Sequence, residues 1–400
     1  MKVTAGGTLA GNAFVRRGIL SLFFACGGSM LIADLANAAA EKQDITQVGS
    51  VSRYTLPVVA PQGPGLDYAN ARAMPLPQAP EAPATQLQAL LSPAVPQGKP
   101  SVTPGAVGSG KQSPVVLVPA KPAAEGASGV APEAFGTSGH PFTTARVNVV
   151  GNATSSFYPY RAAGKLFFQT GSGTAVCTAS LIRKGVAVTA AHCVSLFGAN
   201  RFYTGFQFVP AYNNGTAPYG VSTAKNVYAL TSYLNGTDSC ATRGVVCRND
   251  VAVIVLNLSG GSYVGTRTGF YGYGINGFGY NGSNQALINQ LGYPVALDGG
   301  TLMQRTDSQG FVSAANAGNT IIGSLQTGGS SGGPWLVNLG VAPVLSGTTA
   351  GNEATRNVVV NVTSWGYTST AIKQQGASPF TTGNIVALVN AACAGTPGAC

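Results

Sequence analysis

Charge is what this 400-residue chain has least of: Lys, Arg, Asp and Glu together make up 8% of it. The formal net charge of +10 reflects only twelve acidic residues, not clusters of basic ones. No run of Lys or Arg with interleaved aromatics occurs, which excludes a nucleic-acid partner. Histidine is scarcer still, with His140 and His192 alone, and no CxxC pair is present. A Cys/His metal centre is therefore excluded, and neither metal nor other cofactor is expected. Long apolar runs are missing too. The one candidate, "GILSLFFACGGSMLIA", is broken by Gly27, Gly28 and Ser29 and closed by Asp34, so no stable membrane span is expected.

What is abundant is glycine, with 55 residues, in a chain that is 45% hydrophobic. Few charges and many turn-formers suit a loop-rich extracellular β protein better than a helical cytosolic one. The N-terminus agrees. Lys2, Arg16 and Arg17 precede the apolar stretch, and Ala36-Asn37-Ala38 supplies small residues at a signal-peptidase spacing, so residues 1–38 read as an export signal. Cys26 would leave with it. Six cysteines then remain, an even number in an exported chain, which implies disulfides. Proximity favours Cys177 with Cys193, Cys240 with Cys247 and Cys393 with Cys400. The expected location is secreted, extracellular or periplasmic.

Between Leu56 and Pro141 lie sixteen of the twenty-four prolines, mixed with Ala and Gly. Such a segment buries too little apolar surface to offset its ordering entropy, so residues 39–146 are expected to be a largely disordered propeptide or linker. "VVLVP" near Val115 is a candidate short strand within it. From 147 to 400 the texture changes. "GKLFFQTG", "GVAVTA", "FYTGFQFVP", "DVAVIVLNL" and "NVVVNVTSWGY" are β-rich runs cut by Gly, Asn and Ser, with no βαβ rhythm. They predict an all-β domain of sandwich or barrel type. One late helix is expected in "TTGNIVALVNAAC", with Thr382 and Asn384 as cap candidates.

Three residues carry the chemistry. His192, in "VTAAHC", follows a strand-like run and abuts a cysteine that can pin it, as a base held in one orientation requires. Asp250 opens "NDVAVIVL". By itself it reads as a turn residue, yet a carboxylate at a strand start also suits the fixing of an imidazole tautomer. Ser331, in "QTGGSSGGPW", sits among glycines that let the backbone bend sharply and bring amides beside the hydroxyl; a serine nucleophile needs such access and an adjacent base. Residue order removes rivals. "GSSGG" satisfies the nucleophile-elbow pattern, but no histidine follows Ser331, as an α/β-hydrolase would need. The aspartates ahead of His192 are Asp34, Asp44 and Asp67, all in the signal or proline-rich regions, which disfavours the subtilisin order. His, Asp, Ser remains.

In that order, "TAAHC", "NDVAVIVL", "GGSSGGPW" and "VTSWGY" resemble the chymotrypsin-like serine endopeptidases, over roughly residues 145–400. "GKLFF", "CTASLI" and "LGYP" are similar to the bacterial secreted branch that includes glutamyl endopeptidases. The resemblance implies two packed antiparallel β-barrels with a C-terminal helix and the site in the cleft between them. It implies His192 as general base, Asp250 as its orienting carboxylate and Ser331 as nucleophile, with the amides of Gly329 and Ser331 as oxyanion hole. It implies that Cys177 and Cys193 staple the histidine loop. Substrate would lie along Ser364, Trp365 and Gly366, forming antiparallel hydrogen bonds. Proteins or peptides would be the partners, the enzyme a monomeric, trypsin-like zymogen product. An inactive secreted binding protein on the same fold is the alternative.

Two departures accompany the resemblance. Animal members have an aspartate just before the nucleophile, which pairs with the amino terminus made on activation; here it is Ser330. The stretch from Ser331 to Ser364 is also long, with "SGTTAGNEATRN" as the insertion. Leu325, where trypsin-like enzymes keep an aspartate, and Gln326 beside it imply a pocket for an uncharged or modest apolar side chain, with Gly366 leaving its mouth open.

Overall fold

The computed structural model describes residues 43–57, 65–80, 98–119, 141–149, 152–340, 356–369 and 371–400. The expected export signal and most of the expected insertion lie outside them.

Six strands form the first barrel: β1 (Ala163–Gln169), β2 (Thr174–Arg183), β3 (Val186–Thr189), β4 (Thr204–Pro210), β5 (Ser222–Leu230) and β6 (Ala252–Leu256). Pairing runs β1-β2-β3-β6-β5-β4, and β4 closes the ring on β1. The second barrel is built from β7 (Gln285–Gly292), β8 (Gln304–Ser313), β9 (Asn319–Gly323), β10 (Pro334–Val337), β11 (Val358–Tyr367) and β12 (Gln374–Pro379). Its order, β7-β8-β9-β12-β11-β10, closed by β10 on β7, repeats the first. Two closed antiparallel barrels leave few sheet edges. The five β-rich runs read from sequence all fall on these strands.

Apolar side chains fill both barrels, and the larger cluster runs from the first into the second. Leu166, Phe168, Leu181, Val188, Phe208 and Val253 are buried in the first; Ile288, Ile322, Trp335 and Val358 form the cluster in the second. All three expected disulfides are present, Cys177–Cys193, Cys240–Cys247 and Cys393–Cys400. The late helix, α1 (Ala387–Gly395), follows a wide helical turn over Thr382–Val386. Its cap is Thr381, one residue earlier than expected. Thr381 Oγ1 accepts from the Asn384 amide and Asn384 Oδ1 from the Thr381 amide, a reciprocal box that leaves Thr382 outside the cap.

The described pieces of the proline-rich segment are not free. Ile45–Val48 and Val51–Thr55 form a hairpin whose second strand extends the first barrel beyond β5. Ser101–Thr103 pairs with Gly272–Ile275, Val115–Val116 with Thr216–Ala217, and Phe142–Arg146 with β8. A chain with no core of its own gains order here by donating and accepting backbone hydrogen bonds at sheet margins that already exist. The "VVLVP" strand is real for that reason. Among the described residues no helix is long and apolar enough to cross a membrane.

One buried cation stands out in β1. Lys165 Nζ donates to Gly300 O at 2.9 Å and lies 4.7 Å from the Tyr212 ring centroid and 5.3 Å from that of Phe167. Burial disfavours the ammonium and pulls its pKa down to about 8 from 10.5. Between those values the unfolded chain holds a proton that the folded chain has lost, so folding is favoured increasingly as pH rises. Compared with Lys165→Met, the wild type should therefore gain stability from pH 8 to 10, by at most about 1.4 kcal/mol per pH unit, in parallel urea denaturations. A pH-independent difference would refute this account of Lys165.

Candidate active site

His192 lies on a short turn, Ala191–Cys193, immediately after β3, and Cys193 is bonded to Cys177 in β2. The disulfide thus fixes the turn to the neighbouring strand. His192 is 6% exposed and Asp250 1%. The histidine Nδ1 is 2.7 Å from Asp250 Oδ2, and its backbone amide donates to Oδ1 at 2.8 Å. With both carboxylate oxygens engaged by one residue, the imidazole is held in rotation as well as position, and Nδ1 carries the hydrogen in the neutral ring.

The carboxylate has one further donor. Ser364 Oγ, from β11 of the second barrel, donates to Asp250 Oδ2 at 2.6 Å. The Asp250 amide donates to Ser378 Oγ in β12, whose hydroxyl in turn donates to Cys247 O. A buried carboxylate costs several kcal/mol unless donors surround it, and here they come from both barrels. Ser364 was expected along a substrate strand; its contact with Asp250 and the part of Ser378 were not legible, because neither residue sits near Asp250 in sequence.

Ser331 lies on the turn that precedes β10. The turn closes on itself: the Ser330 amide and Oγ both donate to Thr327 O, and the Gly333 amide donates to Ser330 O. Gly329 has φ +92°, and a Cβ there would approach Tyr293 O to 2.6 Å. At Gly332, φ +75°, a Cβ would come within 2.0 Å of Thr189 Oγ1 and 2.8 Å of the Ala190 amide. Both positions require glycine. The second contact also locates the serine turn, which is pressed against the end of β3 two residues before His192.

Thr178 secures that approach, a role that its place in "CTASLI" does not reveal. Its amide donates to Ser331 O at 2.8 Å and its hydroxyl donates to Gly329 O at 2.8 Å while accepting from the Tyr293 amide. One first-barrel residue therefore holds three positions of the second. Ser331 Oγ and His192 Nε2 are both buried, and neither has a hydrogen-bond partner. The fold joins His192 to Asp250 and brings Ser331 to the same junction, with its hydroxyl unpaired.

Leu325 is partly buried, and the side-chain hydrogen bonds at its neighbours Ser324 and Gln326 join neutral groups. Gln290 Nε2 donates to Gln375 Oε1 and Thr363 Oγ1, Ser324 Oγ donates to Gln290 Oε1, and Gln375 Nε2 donates to Gln326 O. Gln326 donates to Thr306, and its Oε1 is buried without a partner. Two groups place cysteines beside His192 or Asp238, but each includes a disulfide pair whose sulfurs are committed, so neither offers thiolate ligands.

Thr178→Val keeps shape but strands the Tyr293 amide and Gly329 carbonyl. With about 1–3 kcal/mol for each buried group left unpaired, urea denaturation should show a loss of roughly 3 kcal/mol. A loss below about 0.5 kcal/mol would mean that Thr178 does not hold the turn.

No family model and no curated protein matches the sequence. Solved structures do resemble the fold. The protease Anisep of Arthrobacter nicotinovorans is 28% identical, with a TM-score of 0.46 over 58% of this chain and 96% of that one. A thermostable serine protease from an extremophilic microorganism is 26% identical, with a TM-score of 0.45 over 58% and 94%. A Glu endopeptidase is 19% identical, with a TM-score of 0.44 over 63% and 96%. Two six-stranded barrels closed in the same strand order, with His192 on the first and Ser331 on the second, give this chain the chymotrypsin-like fold.

Proposed function

We infer that the chain is a secreted serine endopeptidase that hydrolyses proteins or peptides through an acyl-enzyme. The observation that carries this reading is the 2.7 Å contact between His192 Nδ1 and Asp250 Oδ2 in a buried junction that also receives the Ser331 turn. An imidazole so held presents Nε2 as the free base, which is the nitrogen a serine hydroxyl needs.

In the reaction, Ser331 Oγ attacks the scissile carbonyl as His192 Nε2 takes its proton. The oxyanion is met by the amides of Gly329 and Ser331, each such donor being worth about 3 kcal/mol of transition-state stabilisation. His192 then returns the proton to the leaving amine, and water repeats the sequence on the acyl-enzyme. Asp250 holds the ring in place and stabilises the imidazolium. Substrate adds to β11 at Ser364, Trp365 and Gly366 through main-chain hydrogen bonds. The neutral surroundings of Leu325 and Gln326 support a preference for an uncharged or modest apolar residue before the cut. Residues 1–38 direct export, and residues 39–146 act as a propeptide. The enzyme is a monomer. Three disulfides fit an oxidising compartment.

Processed protein should react with a fluorophosphonate probe at Ser331 alone, as mapped by peptide mass, and Ser331→Ala and His192→Ala should abolish the label. Asp250→Asn should lower kcat by about 10⁴-fold with little change in KM, since it favours the wrong tautomer. Well-folded, processed protein that never labels would sink the enzyme reading in favour of a binding protein on the same fold. In a peptide-library digest, predominant cleavage after Arg or Lys would overturn the pocket assignment.

A further inference from the structure

Residues 72–79 lie where a substrate would. Arg72 and Ala73 pair in parallel with Ala175 and Val176 of β2, and the Met74 amide donates to Val176 O at 2.9 Å. The Gly329 amide, one of the two proposed oxyanion donors, then donates to Met74 O at 3.1 Å. Beyond it the segment crosses to the second barrel. Gln78 and Ala79 pair in parallel with Gly366 and Tyr367 of β11; Pro77 O accepts from the Gly366 amide at 2.9 Å and Ala79 O from that of Thr368 at 3.0 Å. Leu76 and Ala79 are buried, the former with Cδ2 3.7 Å from where a Gly366 side chain would begin and the latter among Trp365 and Tyr367. Ser331, beneath this crossing, is 0% exposed.

We propose that residues 72–79 form an autoinhibitory strap that occupies the cleft and keeps substrate from Ser331 until it is removed. This rests on the serine-endopeptidase reading of the same site. The direction of the strap explains why it survives there. After Met74 the chain runs to β11 and pairs with it in parallel, opposite to the antiparallel run of a substrate, so its peptide bonds meet the site in the reverse order. A leaving nitrogen must be within reach of the acid that protonates it. The composition suits the task as well. Pro75, Pro77 and Pro80 preset an extended backbone, and by lacking N–H groups they leave the strap to bind β11 mainly through its carbonyls.

The test uses the full chain and two variants that leave the barrels intact, Leu76→Asp and Ala79→Arg. Two quantities are read: deuterium uptake at the Gly366 and Thr368 amides, and the rate of fluorophosphonate labelling at Ser331. In the wild type both amides should be protected and labelling slow. In the variants the amides should exchange faster and labelling should accelerate roughly tenfold or more, since a probe reacts only with the uncovered fraction. Rapid exchange of both amides in the wild type would overturn the strap whatever the label shows. So would variants that lose protection yet label at the wild-type rate. If the variants lose protection and even the processed protein never labels, the endopeptidase reading fails while the occupied cleft stands on exchange alone.

Discussion

A carboxylate that is 1% exposed imposes terms on everything near it. Asp250 enters the interior at the start of β6, and water can no longer solvate its charge. Its oxygens take hydrogen bonds from the His192 amide, the His192 ring and the Ser364 hydroxyl. Those donors come from a turn of the first barrel and a strand of the second, so satisfying the charge joins two separately closed sheets. The arrangement that positions an imidazole for proton transfer is thus the same one that makes burial of Asp250 tolerable.

Thr178 complements this at the Ser331 turn. Each barrel closes its own ladder and pairs no strand with the other, so contact between them depends on side chains and on irregular turns. Thr178 uses its amide and its hydroxyl on the segment from Tyr293 to Ser331, and Thr189 Oγ1 donates to Thr178 O. Glycine at 332 is what allows the turn to come that close, because any side chain would collide with Thr189. Packing and chemistry meet at one residue that looks unremarkable in the sequence.

That contrast explains how much could be read beforehand. The strands were legible because short β-branched and aromatic runs cut by Gly and Asn encode both their length and their turns, and Cys177, His192, Asp250 and Ser331 stood in motifs with a chemical order. Thr178, Ser378 and the Ser364 bond to Asp250 were not, since each depends on a partner at least 100 residues away. The strap was the least legible feature. Two-residue strands such as Arg72–Ala73 and Gln78–Ala79 have no periodicity to detect, and the proline content around them argues for disorder. Their order comes from the sheets they lie on, which the local sequence does not contain. The helix cap moved from Thr382 to Thr381 for a similar reason, as the reciprocal bonds with Asn384 decide the boundary.

Ser330 ties these points to control of the site. An aspartate in this position would need a cation, and supplying or withholding one could reshape the turn. Ser330 instead directs its hydroxyl to Thr327 O, three residues back, so this position is satisfied without a charged partner. A turn that needs no external charge offers no charge-based switch. Thr178 already fixes it to the first barrel, and the Gly329 amide already faces an acceptor, which happens to be Met74 O. With His192 held by Asp250 and the Ser331 turn held by Thr178, what the proposed strap would regulate is access. A segment held by backbone bonds at both barrels is placed to control that access without using any charged group of the site.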